Sequence, residues 1–225
     1  MHPFTFAGRT FCALPDRALF WPAQRALLVA DLHLEKASWL AAHGQMLPPY
    51  DSQATLTRLL ALVAAIEPDA LWALGDSFHD SAGPERLDAA SVAMLDQLAR
   101  QTQLCWIEGN HDRGADFARD VPGEAMDQRL VDGIMLRHES DPTEKLPEIS
   151  GHFHPKVRVA TRGRSVTRPC FALTPNRLIL PAFGALTGGL HVTDGAIRDR
   201  IGNHGTALVA TRRTLTPVAF GAEQA

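Results

Sequence analysis

Between residues 26 and 107, short unbroken apolar runs alternate with stretches whose apolar residues recur every three or four positions. The runs are Ala26-Leu27-Leu28-Val29-Ala30, Ala70-Leu71-Trp72-Ala73-Leu74 and Leu104-Cys105-Trp106-Ile107. Each has the length of a strand and is apolar at every position, as strands covered on both faces are. The stretches between them predict helices. One covers about 34–42 and is ended by Gly44. A second starts where Asp51 or Ser52 can cap it, carries Leu56, Leu59, Leu60, Val63 and Ile66 on one side, and stops at Pro68. A third opens near Pro84 and presents Leu87, Met94, Leu95 and Leu98. Ahead of residue 26, apolar and aromatic stretches on either side of the Pro15-Asp16 turn predict edge strands or a hairpin.

The second half has a different texture. Residues 129–131, 134–136, 157–160, 169–173, 178–180, 207–210 and 217–220 look like short strands split by Gly, Pro and Asp, and no helix stands out. A β-α-β-α-β half followed by a β-rich half predicts an α/β fold, a two-sheet sandwich with helices outside. The chain of 225 residues is read as one domain, 1–225, long enough for a sizeable core.

Polar clusters punctuate this pattern. The three apolar runs stop at Asp31-Leu32-His33, Gly75-Asp76 and Gly109-Asn110-His111-Asp112. Two more follow, at His138 and at Gly151-His152-Phe153-His154. Open α/β sheets place their sites at the C-terminal ends of strands. Asp31 and His33, two residues apart on an extended or turning backbone, point to one side and could bind one ion together. His152 and His154 share that spacing, and Gly151 gives the backbone freedom to bring both imidazoles inward. The Asp76 carboxylate has two oxygens and could bridge two metals; Asn110 offers an amide oxygen and His138 a further nitrogen. These six or seven nitrogen and oxygen ligands, with no thiolate, would be mostly idle around one ion. Two ions sharing a carboxylate and a hydroxide would use them all. Such a pair polarises a phosphoryl group, generates a nucleophile at neutral pH and clamps the attacking and leaving oxygens. His111 is left over, placed to protonate a leaving group or to stabilise charge. Taken singly, Asp-x-His also reads as a surface pair, and Gly-Asp and Asn-His-Asp as turns. Their order, and their positions at strand ends, favour one shared site.

Composition narrows the class. Hydrophobic content of 45% and charged content of 21% are those of a globular protein, and the apolar runs are too short to span a membrane. The N-terminus lacks the basic patch and long apolar core of a signal peptide. Cys12, Cys105 and Cys170 are few, odd in number and far apart, which suits a reducing cytoplasm. The net charge of −3 hides an asymmetry: 12 basic against 22 acidic residues in 1–150, and 10 against 3 in 151–225. From 155 to 193 there is no acid, but there are Lys156, Arg158, Arg162, Arg164, Arg168 and Arg177. A basic surface beside a metal site would attract a phosphate-bearing substrate, nucleic acid included; a solvated sheet face carrying arginines would look the same.

The ordered signature Asp-x-His, Gly-Asp, Gly-Asn-His-Asp, a His and Gly-His-x-His, from Asp31 to His154, resembles the calcineurin-like metallophosphoesterase superfamily. That resemblance implies a four-layer α-β-β-α sandwich of two mixed sheets flanked by helices. It implies two divalent metal ions, manganese first and iron, zinc or nickel after it. One ion would be held by Asp31, His33, Asp76 and His154, the other by Asp76, Asn110, His138 and His152, with Asp76 bridging. His111 would be the catalytic histidine and Asp112 its orienting partner. The family's second acid, in Gly-Asp-x-x-Asp, falls on His79 here, with Asp80 one position late. The form Gly75-Asp76-Ser77-Phe78-His79-Asp80 and the stretch from Pro181 to Gly189 resemble a branch named for ligase-associated DNA-damage-response endonucleases. The expected activity is therefore phosphodiester hydrolysis, as in a nuclease linked to DNA repair. A phosphomonoesterase or small-nucleotide phosphatase would use the same site, and a non-catalytic scaffold would have lost ligands, of which none is missing. Arg113 and Phe153 flank the motifs as candidate substrate contacts. No basic amphipathic helix points to a membrane.

Overall fold

The described residues, 1–113, 121–161 and 163–221 of a computed structural model, form two seven-stranded mixed sheets and a two-stranded ribbon. The first sheet opens with an antiparallel series: β1 (His2–Phe6), β2 (Arg9–Ala13), β3 (Leu19–Trp21) and β4 (Ala26–Val29). From β4 onward it is parallel, through β5 (Ala70–Leu74), β6 (Gln103–Ile107) and β7 (Glu124–Met126). The crossovers carry α1 (Lys36–Ala42), α2 (Asp51–Ile66), the single turn α3 (Gly83–Arg86) and α4 (Ala89–Gln101). The second sheet takes β8 (Gln128–Val131), β9 (Ile134–Arg137), β10 (Glu148–Ser150), β13 (Phe171–Leu173), β14 (Arg177–Ile179), β15 (Gly205–Ala210) and β16 (Leu215–Phe220). Its parallel strands are β9, β10 and β14. β11 (Lys156–Thr161) and β12 (Arg164–Pro169) make the ribbon, and α5 (Gly195–Ile201) precedes β15.

Strand alternation divides the apolar residues between cores. Ala26 and Leu28, Trp72 and Leu74, Cys105 and Ile107 face the second sheet, meeting Ile134, Leu136, Ile149 and Leu178. Leu27, Val29, Leu71, Ala73, Leu104 and Trp106 face the other way, onto Leu56, Leu59 and Val63 of α2 and Leu95 and Leu98 of α4. Both faces of β4, β5 and β6 are thus buried, which is why these runs are apolar throughout. Behind the second sheet a third cluster joins Phe153, Val157 and Cys170 to Ile197 and Ile201 of α5. The layers are therefore helix, sheet, sheet, helix, as the four-layer expectation has it, with the last layer thin.

Several local expectations change. A second-half helix exists: Asp194 accepts the Ala196 N–H at 3.0 Å and caps α5, which buries Ile197 and Ile201 one turn apart. The helix expected from Pro84 is two pieces, because Leu87 turns extended and Asp88 caps α4 by accepting from Ser91 N at 2.6 Å. Asp51 and Ser52 do not cap α2. Asp51 Oδ2 accepts the Ala37 N–H at 3.0 Å and Ser52 Oγ the Glu35 N–H at 2.8 Å, so they tie the starts of α1 and α2 together. Strands β7, β10 and β12 were not legible in the hydropathy. β10 carries Glu148, fully buried yet paired with Arg177 at 2.9 Å, while β12 is largely exposed.

Candidate metal centre

The parallel strands of both sheets end at one place. β4 leads into Asp31, β5 into Gly75-Asp76, β6 into Gly109-Asn110-His111, β9 into His138 and β10 into Gly151-His152. Hydrogen bonding continues past the strand ends: Asp31 N–H reaches the Gly75 carbonyl at 3.1 Å and His33 N–H the Asp76 carbonyl at 2.9 Å. The segment after β14 crosses over, with Phe183 N–H bonded to Ala30 O at 2.8 Å and Gly184 N–H to Asp31 O at 3.1 Å. Asp31, His33, Asp76, His152 and His154 all have left-handed backbone, φ between +45° and +72°. Asp and His tolerate that region better than most residues, but each instance costs of order 1–3 kcal/mol and persists only where the surroundings enforce it. Gly151, expected to supply this freedom, is not the left-handed residue; His152 is. Glycine is required at 151 for space, since a Cβ there would stand 2.8 Å from Asp31 Oδ2. Gly109 has a similar role that the motif alone did not reveal: a Cβ there would lie 2.2 Å from Asp76 Oδ1.

The candidate ligands form two groups, Asp31 with His33 and His154, and Asp76 with His138 and His152. His33 Nε2 lies 3.3 Å from His154 Nε2, and His154 Nε2 lies 3.5 Å from Asp31 Oδ1. His138 Nε2 lies 3.0 Å from Asn110 Oδ1, 3.0 Å from His152 Nδ1 and 3.4 Å from Asp76 Oδ1. Asp76 Oδ2 is 3.9 Å from His33 Nε2, so this carboxylate faces both groups. His152 and His154, both with left-handed backbone, fall in different groups.

The donor chemistry fits divalent cations. His138 Nδ1 lies 3.1 Å from the Leu74 carbonyl oxygen, which can only accept, so the ring proton sits on Nδ1. Nε2 then offers a lone pair toward oxygen and nitrogen atoms that also offer lone pairs. Too few protons are available to pair them, and a cation among them would satisfy the set. Burial lowers the His33 pKa to about 2, helped by the neighbouring His154, and likewise lowers that of His152. Both rings are kept neutral, the ligating form.

His111 stands at the rim, partly exposed. Its Nδ1 lies 2.8 Å from the His79 carbonyl and its Nε2 3.9 Å from Asp76 Oδ2. Asp112 does not meet the His111 ring in the way the resemblance implied. Its fully buried carboxylate accepts the N–H groups of Ser77 at 3.0 Å, Phe78 at 2.8 Å and Gly109 at 3.1 Å, locking the β5 and β6 loops together. Burial nevertheless raises its pKa to about 6. His79, at the position of the family's acid, stacks on His111 with ring centroids 5.1 Å apart and meets Trp39 edge-on. Asp80 turns away and is ion-paired with Arg86.

Of the two candidate substrate contacts, Arg113 is exposed and lines a cavity of about 670 Å³ together with Asn110 and His138. Phe153 is 6% exposed and packs into the core behind the second sheet, edge-on to His152, so its place is structural. Of the basic segment, Arg177 is also buried, donating to the carbonyls of Asp141, Glu144 and Leu146. Arg162 lies outside the described residues.

Two mixed sheets meeting at a pair of oxygen-and-imidazole ligand groups define the metallophosphoesterase class of site. The chain belongs to the calcineurin-like phosphoesterase family, whose model matches residues 24–167. Among solved structures it is similar to the nuclease MPE of Pseudomonas putida, with 31% identity, a TM-score of 0.74, and coverage of 96% of this chain and 98% of that one. More distant are the E. coli phosphoesterase Yfce (17% identity, TM-score 0.45, 87% and 98% coverage) and the Aquifex aeolicus protein AQ665 (18% identity, TM-score 0.43, 57% and 78% coverage). No curated protein matches the sequence. The protein is a metal-dependent phosphoesterase. Among the described residues no helix is long and apolar enough to cross a membrane.

Proposed function

We propose that the protein is a dinuclear phosphodiesterase whose substrate is nucleic acid. The observation that carries this reading is the pair of ligand groups facing one carboxylate, Asp76. On this reading Asp31, His33, Asp76 and His154 hold one ion, and Asp76, Asn110, His138 and His152 the other. Manganese is the first candidate, since oxygen and imidazole donors suit it. The ions would supply Lewis acidity at phosphorus and activation of water at neutral pH. The chain supplies the rest. Asp112 fixes the loops that carry Asp76 and Asn110. His111, with its Nδ1–H on the His79 carbonyl, presents Nε2 to the site. In its imidazolium form, protonated at both nitrogens, it would deliver the Nε2 proton to the leaving oxygen and be left as the neutral ring. A diester of nucleic acid is favoured because the similar P. putida protein is named a nuclease. The branch likeness extends the reading to DNA repair, and the few, scattered cysteines extend it to a cytoplasmic setting.

The test is hydrolysis of bis(p-nitrophenyl) phosphate with added Mn²⁺, by the wild type and by Asp76→Ala. Loss of the shared carboxylate should lower kcat/KM by about 10³ or more, since several kcal/mol of transition-state stabilisation depend on both ions. An Asp76→Ala protein as active as the wild type would sink the proposal. Faster turnover of a monoester than of the diester would shift it to a phosphatase.

A further inference from the structure

We infer that Arg17 and Lys156, beside the His154 end of the metal centre, form a phosphate subsite for a neighbouring nucleotide of a polynucleotide substrate. The inference rests on the nucleic-acid reading above. A cavity of about 220 Å³ is lined by Arg17, Lys156, Thr167 and Thr187, with the candidate ligand His154 in the same wall. Arg17 comes from the β2–β3 turn of the first sheet and Lys156 from the start of the ribbon, so the fold brings two cations together from opposite halves.

Neither is tied up by a direct ion pair. Among the described residues no salt bridge joins Arg17 or Lys156 to an acid; the exposed Asp16, next in the chain, acts on Arg17 only through its charge, and Arg17 donates a long bond, 3.3 Å, to the Ala182 carbonyl. A guanidinium has five N–H donors, so most of Arg17's are unspent on protein. A second half-buried cation, Arg58, reinforces it from behind, lying over the Phe183 ring at 4.4 Å and donating to the Phe183 carbonyl at 2.5 Å. Burial disfavours the charge on both guanidiniums and Arg17 adds repulsion at Arg58, with Asp16 offsetting this only in part, so both pKa values stay lowered. Half-buried like charges that lack a direct ion pair are costly for a protein to keep, and an anion bound beside Arg17 would offset the repulsion between them.

The surroundings extend the basic character outward. Lys156 and Thr167 also line a groove of about 930 Å³ that carries Arg158, and Arg17 also lines one of about 250 Å³ that carries Arg168. Lys156 and Arg158, two residues apart on β11, share one face. No described acid lines any of these three cavities. On the other side of the metal centre, the cavity holding Asn110 and His138 is lined by Glu108, Asp127, Glu139 and Asp141 against Arg113 and Arg137, the latter already paired with acids, so acids prevail there. A polyanion crossing the centre is therefore drawn toward the His154 side, where the next phosphate meets Arg17 and Lys156.

The experiment compares Arg17→Gln, Lys156→Ala and the double variant with the wild type, using a fluorescein-labelled oligothymidylate and bis(p-nitrophenyl) phosphate. The expected result is a rise in oligonucleotide KM of about tenfold per single change, with kcat altered much less. The preference for the oligonucleotide over the single-phosphate ester falls by the same factor. In metal-free protein, fluorescence anisotropy should show weaker oligonucleotide binding and a salt dependence shallower by about one unit per cation removed. Arg17→Lys, which keeps the charge, should recover part of the affinity and guards against a folding defect. Oligonucleotide KM and metal-free affinity within twofold of wild type would overturn the inference, as would equal losses on both substrates. If the wild type cleaves neither substrate, the nucleic-acid phosphodiesterase reading fails while the metal-free binding still judges the subsite.

Discussion

The two halves of the molecule reach the metal centre by different means. The first sheet delivers both carboxylates, Asp31 and Asp76, together with His33, Asn110 and His111, from strands buried on both faces beneath the long helices α2 and α4. The second sheet delivers three imidazoles, His138, His152 and His154, from strands backed by the ribbon and the seven-residue α5. The halves are stitched together at the ligands themselves. Asp31 accepts the His152 N–H with both oxygens at 3.0 Å, and the Asp76 loop carbonyl of Leu74 holds the His138 ring. On the proposed function one half fixes charge and proton transfer; the other supplies nitrogen donors whose aim depends on a thinner layer of packing. A ligand group split across two sheets stays assembled only while both sheets are in place, so metal binding and the sheet–sheet core should rise and fall together.

The largest expected effect separates these roles. His111→Ala should lower kcat by about 10²–10⁴, the range for losing a general acid, while the Mn²⁺ content found by elemental analysis stays that of the wild type. His152→Ala should do the reverse and lose metal first. If His111→Ala lost its metal while His152→Ala kept both metal and rate, the division of labour would be mistaken.

A smaller effect probes the thin layer. Phe153→Ala should cost about 3–5 kcal/mol in urea denaturation, as buried Phe truncations do. Because the Phe153 ring packs edge-on against His152 at 4.7 Å, metal affinity should also fall by about 10–100-fold, as when a ligand loses its support. Leu59→Ala, in the core under α2, should cost about 2–5 kcal/mol and leave metal affinity alone. Equal metal affinities in the two variants would remove the asymmetry between the halves.

That asymmetry also governed what could be read from the chain. The apolar runs ending at Asp31, Asp76 and Asn110 were plain because burial on both faces writes itself into every residue. In the second half, β10 hides behind Glu148, whose charge is paired with Arg177 and so leaves no hydropathic trace. Helix α5 offered only Ile197 and Ile201 behind an Asp-Gly that also fits a turn. The ligand residues were legible as types in order, but their division came only from the family resemblance, because left-handed backbone at His152 and His154 has no marker in sequence when glycine is absent. Phe153 likewise read as a candidate substrate contact beside a motif, whereas its ring, between the left-handed residues His152 and His154, lies in the core.

The smallest expected effect compares the two cores directly through their thiols. Burial pushes the Cys105 thiol, between the sheets, up to about 11 and the Cys170 thiol, behind the second sheet, up to about 12. Thiolate is the reacting form, so native protein at pH 8 should take up iodoacetamide at neither site. Both shifts are upward, so each neutral thiol contributes stability that is present below the unfolded pKa of about 8.5 and is lost as pH rises beyond it. Reactivity below that pH therefore reports opening of the structure rather than titration. Cys105 is closed in by both sheets, and its exposure requires their separation. Cys170 is covered by the ribbon and α5, so a local opening of that layer suffices. In mild urea, mass spectrometry should find Cys170 alkylated a few times faster than Cys105. Identical rates would mean that the thin layer opens only with the whole molecule, and that the two halves form one cooperative unit up to the metal centre.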